Sequence, residues 1–528
     1  MNVSPLKRLP TTTVYLILKP GLLTFLLVWS ISCTTEQEHQ GQRLPNIIYI
    51  LADDLGYGEL GAYGQEKIET PHIDAMAAAG MRFTQHYAGS TVCAPSRYML
   101  MTGKHPGNAL IRGNNEWSER GDVWSFEAMF ENPDLEGQIP IPEDTITLAD
   151  ILKKAGYKTG AIGKWGLGGP FTEGHPNKQG FDYFYGYLCQ RQAHTYYPTH
   201  LWKNDQRIML QNKMVPPHQS LPEVADIYDP LSYAIFHDQP DYAAELLQIE
   251  VIRFIEEHRD TPFFLYLPTP LPHVSLQAPQ RLIDYYREKF GDEEPYTGGN
   301  YVPVRYPNAT YAAMISYLDE QVGEIVEKLK ELDLYENTLI VLTSDNGPTF
   351  TGGVDPEYFD SAAPFKSTYG WGKGFLHEGG IRVPMIAVWE GIIPASSTND
   401  HLSAFWDVLP TFGEIAGVEQ PEGIDGISFL PTLRGNNEEQ KQHEFLYWEF
   451  PQYGGQQAVR MGRWKGIRKN MINEENLDVE IYDLENDPRE QFNVAGHHPD
   501  ITEKILSIME NERIRPEIDA FRIPVLGD

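Results

Sequence analysis

Short apolar runs alternate with longer amphipathic stretches from residue 46 to about residue 418. The apolar runs are typical of buried, mainly parallel strands, and they lie at residues 47–51, 159–162, 263–267, 339–343 and 385–388. The stretches between them repeat apolar residues at helical spacing, most clearly at residues 73–79, 146–155, 242–258 and 311–332. This alternation predicts an α/β fold, a doubly wound and mainly parallel sheet flanked by helices.

The pattern changes after about residue 420. Short runs that are typical of antiparallel strands lie at residues 445–450, 457–461, 464–468 and 480–484, and a helical pattern follows at 501–513. We therefore expect a large first domain (residues 44–420) and a smaller C-terminal α+β subdomain (residues 421–528). A chain of 528 residues is long enough to give both a substantial core.

The N-terminus has the pattern of an export signal (residues 1–33), followed by a polar leader (residues 34–43). Its two apolar stretches, at 14–18 and 21–31, are too short and too interrupted for a membrane-spanning helix. Small residues directly before Cys33 resemble a bacterial lipoprotein cleavage site. We expect an exported protein that is periplasmic or anchored at the bacterial outer membrane by a lipid on Cys33. Simple cleavage, which would release the protein, is the alternative.

The charge and the cysteine content exclude two classes of protein. A formal net charge of −32 is far too acidic for a protein that must neutralise nucleic-acid phosphates. A few cations focused in a pocket can still attract an anionic ligand against this diffuse charge. The three cysteines are Cys33, Cys93 and Cys189. Cys33 is the candidate lipidation site and Cys93 belongs to a motif described below, so Cys189 has no disulfide partner. A disulfide-stabilised scaffold is therefore excluded.

Residues 93–104 read Cys-Ala-Pro-Ser-Arg-Tyr-Met-Leu-Met-Thr-Gly-Lys. Pro95 suits the first turn of a helix, so the segment predicts a helix that begins near Cys93. The start of a helix offers unpaired N–H groups and partial positive charge, which favour an anion beside Cys93. Arg97, one turn further on, adds a permanent cation that faces the same place. A lone cysteine in a helix can equally be a buried packing residue.

Two polar pairs follow predicted strands directly. Asp53-Asp54 comes after the strand at 47–51, and Asp345-Asn346 comes after the strand at 339–343. The carboxyl ends of parallel strands meet at one edge of a sheet, so these side chains are expected to share a site. Three carboxylates and one amide oxygen suit Ca²⁺ or Mg²⁺ and fit zinc poorly. For either pair alone, ordinary turn chemistry explains the residues as well.

The string Cys-x-Pro-Ser-Arg followed by Thr-Gly-Lys resembles the signature of type I sulfatases of the alkaline phosphatase superfamily. This resemblance covers nearly the whole mature chain and includes bacterial polysaccharide sulfatases. It implies that a formylglycine-generating (sulfatase-maturating) enzyme oxidises Cys93 to formylglycine (3-oxoalanine). It also implies a bound Ca²⁺, with Asp53, Asp54, residue 93, Asp345 and Asn346 as ligands. The activity implied for residues 44–420 is hydrolysis of sulfate esters on a sulfated carbohydrate.

Other segments carry the resemblance further. Lys164 in Gly-Lys-Trp and Lys373 in Gly-Lys-Gly-Phe-Leu-His resemble family motifs whose lysines hold the sulfate oxygens. His273 resembles the family histidine that hydrogen-bonds the scissile sulfate. With Arg97 and the metal, these groups would stabilise charge in the transition state, and His273 or Lys373 would protonate the leaving sugar oxygen.

One position departs from the family pattern. Family members often have a histidine in Gly-Lys-Trp-His-Leu-Gly, where this chain has Gly166. That histidine is credited with helping sulfate leave the formylglycine, so another base or water must replace it, and His194 is the candidate. The polar and aromatic loop that contains Gln190 and His194 predicts sugar binding. Arg112 and Asn114, just beyond the first motif, either contact the sugar or are ordinary loop residues.

Two alternatives to a sulfatase remain at this stage. The first is a phosphonate or phosphate ester hydrolase of the same superfamily. The second is a non-catalytic lipoprotein that binds sulfated glycans. The complete nucleophile motif argues against the second, and the combined motifs of Lys164, Lys373 and His273 favour sulfate over phosphate.

Overall fold

The computed structural model describes residues 14–16 and 44–528. The leader and Cys33 lie outside the described residues, as does the predicted export signal apart from residues 14–16. Leu44–Asp528 forms one compact unit. Within the described ranges, no helix combines the length and the apolar character that crossing a bilayer requires.

The strands of this unit are as follows in chain order: β1 (Asn46–Ala52), β2 (Met81–Phe83), β3 (His86–Tyr87), β4 (Lys158–Lys164), β5 (Tyr183–Tyr187), β6 (His200–Lys203), β7 (Gln206–Met209), β8 (Phe263–Pro268), β9 (Thr338–Ser344), β10 (Met385–Val388), β11 (Ser397–Asn399), β12 (Ser403–Ala404), β13 (Leu446–Phe450), β14 (Gln456–Met461), β15 (Trp464–Arg468) and β16 (Glu480–Asp483). All the predicted strands are present, and each starts and ends within two residues of its prediction.

The α-helices are α1 (Pro71–Ala79), α2 (Cys93–Thr102), α3 (Phe126–Glu131), α4 (Leu148–Lys154), α5 (Ala234–His237), α6 (Ala243–Glu257), α7 (Gln280–Phe290), α8 (Pro307–Glu331), α9 (Glu378–Ile381), α10 (Val408–Ile415), α11 (Leu430–Leu433) and α12 (Pro499–Asn511). The start of α4 differs from the predicted residue 146 for a local reason. Thr147 and Asp150 form a capping box, in which each side chain accepts from the other's backbone N–H, and this fixes the helix start at Leu148.

The predicted doubly wound sheet is confirmed. Ten strands are ordered β11-β2-β10-β9-β1-β8-β4-β5-β6-β7. The central run β9-β1-β8-β4-β5 is parallel, whereas β10, β6 and β7 pair antiparallel with their neighbours. In β1, Tyr49 and Leu51 face one core and Ile48 and Ile50 face the other. Burial on both faces is why these strands are continuous apolar runs in the sequence.

Helices cover both faces of this sheet. The first core includes residues of α2, α4 and α10, and the second includes residues of α1, α6 and α8. With helices on both faces, the carboxyl ends of the parallel strands are where a ligand has access.

The C-terminal part forms a separate four-stranded antiparallel sheet, β13-β14-β15-β16, as predicted. Ile505 and Met509 of α12 pack on one face against residues such as Val459. On the other face, Trp448 and Phe450 belong to the same core as the central sheet. The C-terminal sheet therefore packs on the same core as the central sheet.

Candidate active site

Cys93 is the first residue of α2, as the sequence predicts. The preceding Val92 has extended backbone (φ −146°, ψ 163°), and no side chain of Val92 caps the helix. The backbone N–H of Ala94 instead donates to Asn114 Oδ1 at 3.1 Å. All ten residues of α2 are buried. The helix therefore holds the side chain of residue 93 in a fixed place, with Asn114 as its neighbour in the same pocket wall.

The two polar pairs meet beside Cys93. Their strands β1 and β9 are parallel partners, with Ala52 opposite Ser344, so the residues that follow them lie side by side. The backbone N–H of Asp54 donates to Asp345 Oδ1 at 3.2 Å, and Asn346 Nδ2 donates to Asp54 Oδ1 at 2.7 Å. Asp53 Oδ1 lies 3.5 Å from Cys93 Sγ. The expected convergence at the strand ends is present.

These groups fit a calcium ion. Asn346 Oδ1 is buried and has no hydrogen-bond partner, which leaves an acceptor available for a cation. The potential ligand atoms of Asp53, Asp54, Cys93 and His273 all lie within 4.8 Å of one another. Carboxylate and amide oxygens form the hard donor set that Ca²⁺ prefers. The imidazole of His273 and the sulfur of the unmodified Cys93 lie outside that set, since both suit transition metals better.

Two lysines flank residue 93. Lys164 Nζ, at the end of β4, lies 2.6 Å from Asp53 Oδ2 and 3.5 Å from Cys93 Sγ. Lys373 Nζ lies 2.8 Å from Asp54 Oδ2 and 3.9 Å from the same sulfur. Burial opposes their charge, but the carboxylates of Asp53 and Asp54 raise the pKa of Lys164 and of Lys373 respectively. Both lysines are therefore ammonium ions beside the side chain of residue 93.

Arg97 has a different place from the expected one. Its side chain is fully buried; Nε and Nη2 donate to Asp345 Oδ2 at 3.1 and 2.8 Å, and Nη2 also donates to Asp53 Oδ2 at 3.1 Å. A further N–H donates to the carbonyl of Lys164. The guanidinium of Arg97 is therefore held by Asp53 and Asp345, two of the predicted metal ligands.

The unmodified thiol is a poor nucleophile in this environment. Burial and the nearby carboxylate of Asp53 raise the pKa of Cys93 to about 12. The thiol therefore stays protonated at neutral pH, although the thiolate is the reactive form of cysteine. The pocket is built around residue 93 but does not activate a cysteine there.

His273 lies in the turn after β8 and reaches the same pocket. Its Nε2 is 3.7 Å from Asp54 Oδ2, and its Nδ1–H donates to the carbonyl of Val274. Burial, together with Lys164 and Lys373, lowers the pKa of His273 to about 4. The ring is therefore neutral at pH 7 and offers a lone pair at Nε2. Of the two proposed acids for the leaving oxygen, Lys373 carries a proton and Nε2 of His273 does not.

The space next to Gly166 is filled by another side chain. Gly166 has φ +81°, and a Cβ atom built on it would lie 2.8 Å from Gln190 Cγ and 2.9 Å from Gln190 Cδ. Neither polar atom of the Gln190 side chain has a hydrogen-bond partner, and both are buried. Gln190 thus occupies the position where a histidine would otherwise extend from residue 166.

His194 lies beside His273. The two imidazole rings stack with their centroids 5.2 Å apart at an interplanar angle of 17°. His194 Nδ1 is 3.3 Å from His218 Nε2, and the ring also contacts Tyr301. Sequence patterns gave no role to His218 or Tyr301, because neither belongs to a motif and both come from long connecting segments. The resulting row of rings leads from His273 to the exposed His218.

Arg112 is not available to a substrate. Its side chain is fully buried, and Nη1 donates to Glu449 Oε1 at 2.7 Å. Its other nitrogens donate to the backbone carbonyls of Ala109, Gly107 and Ile514. The structure therefore corrects the expected sugar contact: Arg112 ties the segment after α2 to the C-terminal sheet.

Arg112→Ala is expected to destabilise the protein by about 3 kcal/mol, because Glu449 keeps only Arg513 of its two arginine partners and three backbone carbonyls lose their donor. The KM for 4-nitrophenyl sulfate of the folded variant should stay unchanged. Chemical unfolding together with steady-state kinetics measures both. If the variant were as stable as the wild type but had a raised KM, Arg112 would contribute to substrate binding, and the structural role assigned to it would be wrong.

A buried residue 93 between two ammonium groups, beside carboxylate and amide oxygens at the ends of a doubly wound sheet, is typical of a hydrolase of anionic esters. The chain belongs to the sulfatase family: residues 45–418 match the family model named Sulfatase. Residues 368–515 also match the model named N-sulphoglucosamine sulphohydrolase, C-terminal. The protein is accordingly a sulfuric ester hydrolase, and the predicted family is confirmed.

Individual relatives agree with this assignment. The chain is 28% identical to an N-acetylgalactosamine-6-O-sulfatase of Bacteroides thetaiotaomicron, over 90% of this chain and 94% of the relative. It is 31% identical to human steryl-sulfatase, over 81% and 75%. The crystal structure of Ps i-CgsB in complex with k-i-k-neocarrahexaose superposes with a TM-score of 0.69 at 27% identity, covering 90% and 94%. The phosphonate monoester hydrolase of Agrobacterium radiobacter shares the fold, with a TM-score of 0.59 at 20% identity over 89% and 96%.

Proposed function

We propose that this sulfatase cleaves sulfate esters of a sulfated carbohydrate through formylglycine derived from Cys93, with a bound Ca²⁺. The observation that carries the proposal is the position of residue 93. It lies at the start of α2, 3.5 Å from Lys164 Nζ and 3.9 Å from Lys373 Nζ. Because the thiol stays protonated there, the site is better suited to a modified residue than to cysteine chemistry.

Formylglycine and calcium would supply two functions. Residue 93, once converted to a hydrated formylglycine, would offer one hydroxyl as the nucleophile and a second hydroxyl for release. A bound calcium supplies charge that polarises the sulfate oxygens, and Asp53, Asp54, Asp345 and Asn346 would hold it. The rest of the chemistry depends on this chain's own side chains.

The two lysines have a different electrostatic role from Arg97. Lys164 and Lys373 would bind sulfate oxygens and stabilise charge on them during in-line displacement, because both ammonium groups already point to residue 93. Arg97 keeps Asp53 and Asp345 oriented as ligands. Lys373 would donate the proton that the leaving sugar oxygen needs, while Nε2 of the neutral His273 would accept a hydrogen bond in the same pocket.

Release of sulfate needs a substitute for the absent histidine at position 166. Gln190 fills that space, but an amide is not a base at neutral pH. We assign proton acceptance in this step to His194, because it stacks on His273 and connects to His218 near solvent. Gln190 would hold the departing sulfate through its unpaired amide N–H.

His194→Ala is expected to lower kcat for 4-nitrophenyl sulfate about 10²-fold, the usual contribution of a general base. The first equivalent of nitrophenol should still appear quickly, because only sulfate release slows. Stopped-flow measurement of the burst tests this result. His258→Ala, at the half-buried histidine that directly follows α6, is the matched control and should keep the wild-type kcat. Loss of the burst together with steady turnover would place His194 in the attack step instead.

The competing ester chemistry can be tested directly. The matured enzyme should hydrolyse an aryl sulfate far faster than the matching aryl phosphate. A phosphate preference would overturn the sulfatase proposal. Intact-mass measurement of residue 93 as cysteine in fully active protein would overturn the formylglycine part.

The substrate class is proposed from the relatives. The Bacteroides relative is named for N-acetylgalactosamine 6-sulfate, and the superposed structure holds a neocarrahexaose. We propose that the substrate is a sulfated galactose-type sugar at the end of an oligosaccharide, from which this exported enzyme removes the sulfate. A formylglycine-generating or sulfatase-maturating enzyme would act on Cys93, and lipidation of Cys33 would anchor the protein. Activity against a panel of defined sulfated oligosaccharides tests the sugar assignment.

A further inference from the structure

A second, polar cavity lies where the C-terminal sheet meets the edge of the central sheet. Its volume is about 700 Å³, within the range of ligand sites. Apart from Leu402, Gly462 and Leu484, its lining residues are polar. None of them belongs to the active site described above. Arg460 of β14 and His401, between β11 and β12, are the lining residues that need explanation.

Arg460 is a buried cation without a carboxylate partner. Its residue is 5% exposed, Nη2 donates to Gln85 Oε1 at 2.8 Å, and Nε and Nη1 are buried without partners. Across residues 44–528 no carboxylate forms an ion pair with it. Arginine stays charged in proteins, and an unpaired buried charge is costly. The position therefore favours an anionic ligand.

The surrounding charges do not compensate for Arg460. Lys465 Nζ lies 2.8 Å from Glu378 and 3.1 Å from Glu490, and Arg382 lies 3.0 Å from Glu378. Although burial opposes it, Lys465, Arg382 and Arg460 together hold the pKa of Glu378 below its usual range. The group thus contains three cations and only two carboxylates, and both carboxylates are already paired with Lys465 or Arg382. Arg460 is the surplus positive charge of this group.

His401 adds an unmatched acceptor to the same cavity. It is 6% exposed, Nδ1–H donates to Gln442 Oε1 at 3.1 Å, and Nε2 is buried without a partner. Burial lowers the pKa of His401, so the ring is neutral and Nε2 carries a lone pair. A lone pair needs a hydroxyl or another donor. The cavity therefore presents unmatched donors and an unmatched acceptor together.

We propose that this cavity is an accessory binding site for a sulfated sugar unit, whose sulfate accepts hydrogen bonds from Arg460 and whose hydroxyl donates to His401. The proposal rests on the proposed function, because it takes a sulfated carbohydrate as the substrate. A second sugar of the same polymer would be held here, outside the catalytic pocket. The exposed Asp400 and the ion-paired Glu485 also line the cavity, so only a ligand that reaches Arg460 is favoured.

Affinity electrophoresis tests the site in the full-length protein. Native gels would contain chondroitin 6-sulfate or chemically desulfated chondroitin, with Cys93→Ala present throughout to prevent turnover. Arg460→Gln should raise the apparent dissociation constant for the sulfated polymer about tenfold. Arg463→Gln is the matched control. It removes the same charge from the same cavity, but its guanidinium is already held by Asp483 and Glu485, so retardation should be unchanged.

Each outcome decides the proposal. Equal retardation of the two variants, or equal retardation by the desulfated polymer, would overturn it. Should circular dichroism show that Arg460→Gln does not fold, Arg460→Lys keeps the charge but loses the planar fork, and about threefold weaker binding is expected. With Cys93 restored, Arg460→Gln should keep the wild-type kcat/KM for 4-nitrophenyl sulfate. A wild-type enzyme inactive on that ester would contradict the proposed function instead, independently of the gels.

Discussion

Cys93→Ala is expected to lose at least about 10⁴-fold in kcat/KM for 4-nitrophenyl sulfate, as in enzymes that lose a covalent nucleophile. Alanine cannot be converted to formylglycine and offers no hydroxyl to attack sulfur. The fold should survive, because Cys93 Sγ makes only long contacts of 3.5–3.9 Å with Asp53, Lys164 and Lys373. Steady-state kinetics and the melting temperature measure the two parts of this result.

Cys189→Ala is the matched control for that experiment. Cys189 is a free buried thiol that packs with Val123, Met129 and Leu135, in a cluster that contains none of the residues assigned to the reaction. Its replacement should lower stability by about 1 kcal/mol and leave kcat/KM unchanged. Undiminished activity of Cys93→Ala, or an equal loss in Cys189→Ala, would refute the assigned role of residue 93.

Removal of calcium should have the second largest effect. Dialysis against EGTA is expected to reduce kcat/KM about 10³-fold, because a metal contributes several kcal/mol of charge stabilisation in such reactions. Added Ca²⁺ should restore activity and raise the melting temperature. In Asp54→Ala and in Asn346→Ala, the calcium-dependent rise in melting temperature should be lost, since each variant removes an oxygen ligand.

Asp74→Asn serves as the control for the acidic variants. Asp74 accepts from Thr70 and from the backbone of Ala62 and lies outside the calcium ligand set. It should keep both the activity and the response to calcium. A protein shown by elemental analysis to be metal-free, yet active at the full rate, would rule out the calcium site.

The central strands could be predicted because both of their faces are buried. Each of β1, β8 and β9 is a continuous apolar run, and such runs have few alternatives in a long chain. The edge hairpin β6–β7 was missed, since it lies at the end of the sheet and leaves Gln206 and Met209 exposed. Apolar patterning is weak where one side of a strand faces water.

The sequence predicted residues that the structure brings together, but it could not predict the partners of two arginines. Arg97 was expected to face the sulfate; its partner Asp345 is 248 positions away and holds its guanidinium. Arg112 was expected near the sugar, yet Glu449, 337 positions away, buries it. The sequence around an arginine is the same whether the side chain binds a ligand or a carboxylate of the protein. The partner residue decides between these roles, and a partner distant in sequence is brought close only by folding.

The sequence by itself determined that Cys93 begins a helix and that acidic and amide residues follow two neighbouring strands, because helix starts and strand ends are local features of the chain. Only the tertiary structure decided which cations lie beside residue 93. It also decided that Gln190 fills the space beside Gly166 and that His194 stacks on His273. These contacts depend on which segments, distant in sequence, pack against each other. Because a protein interior is closely packed, each space in it is filled by one side chain.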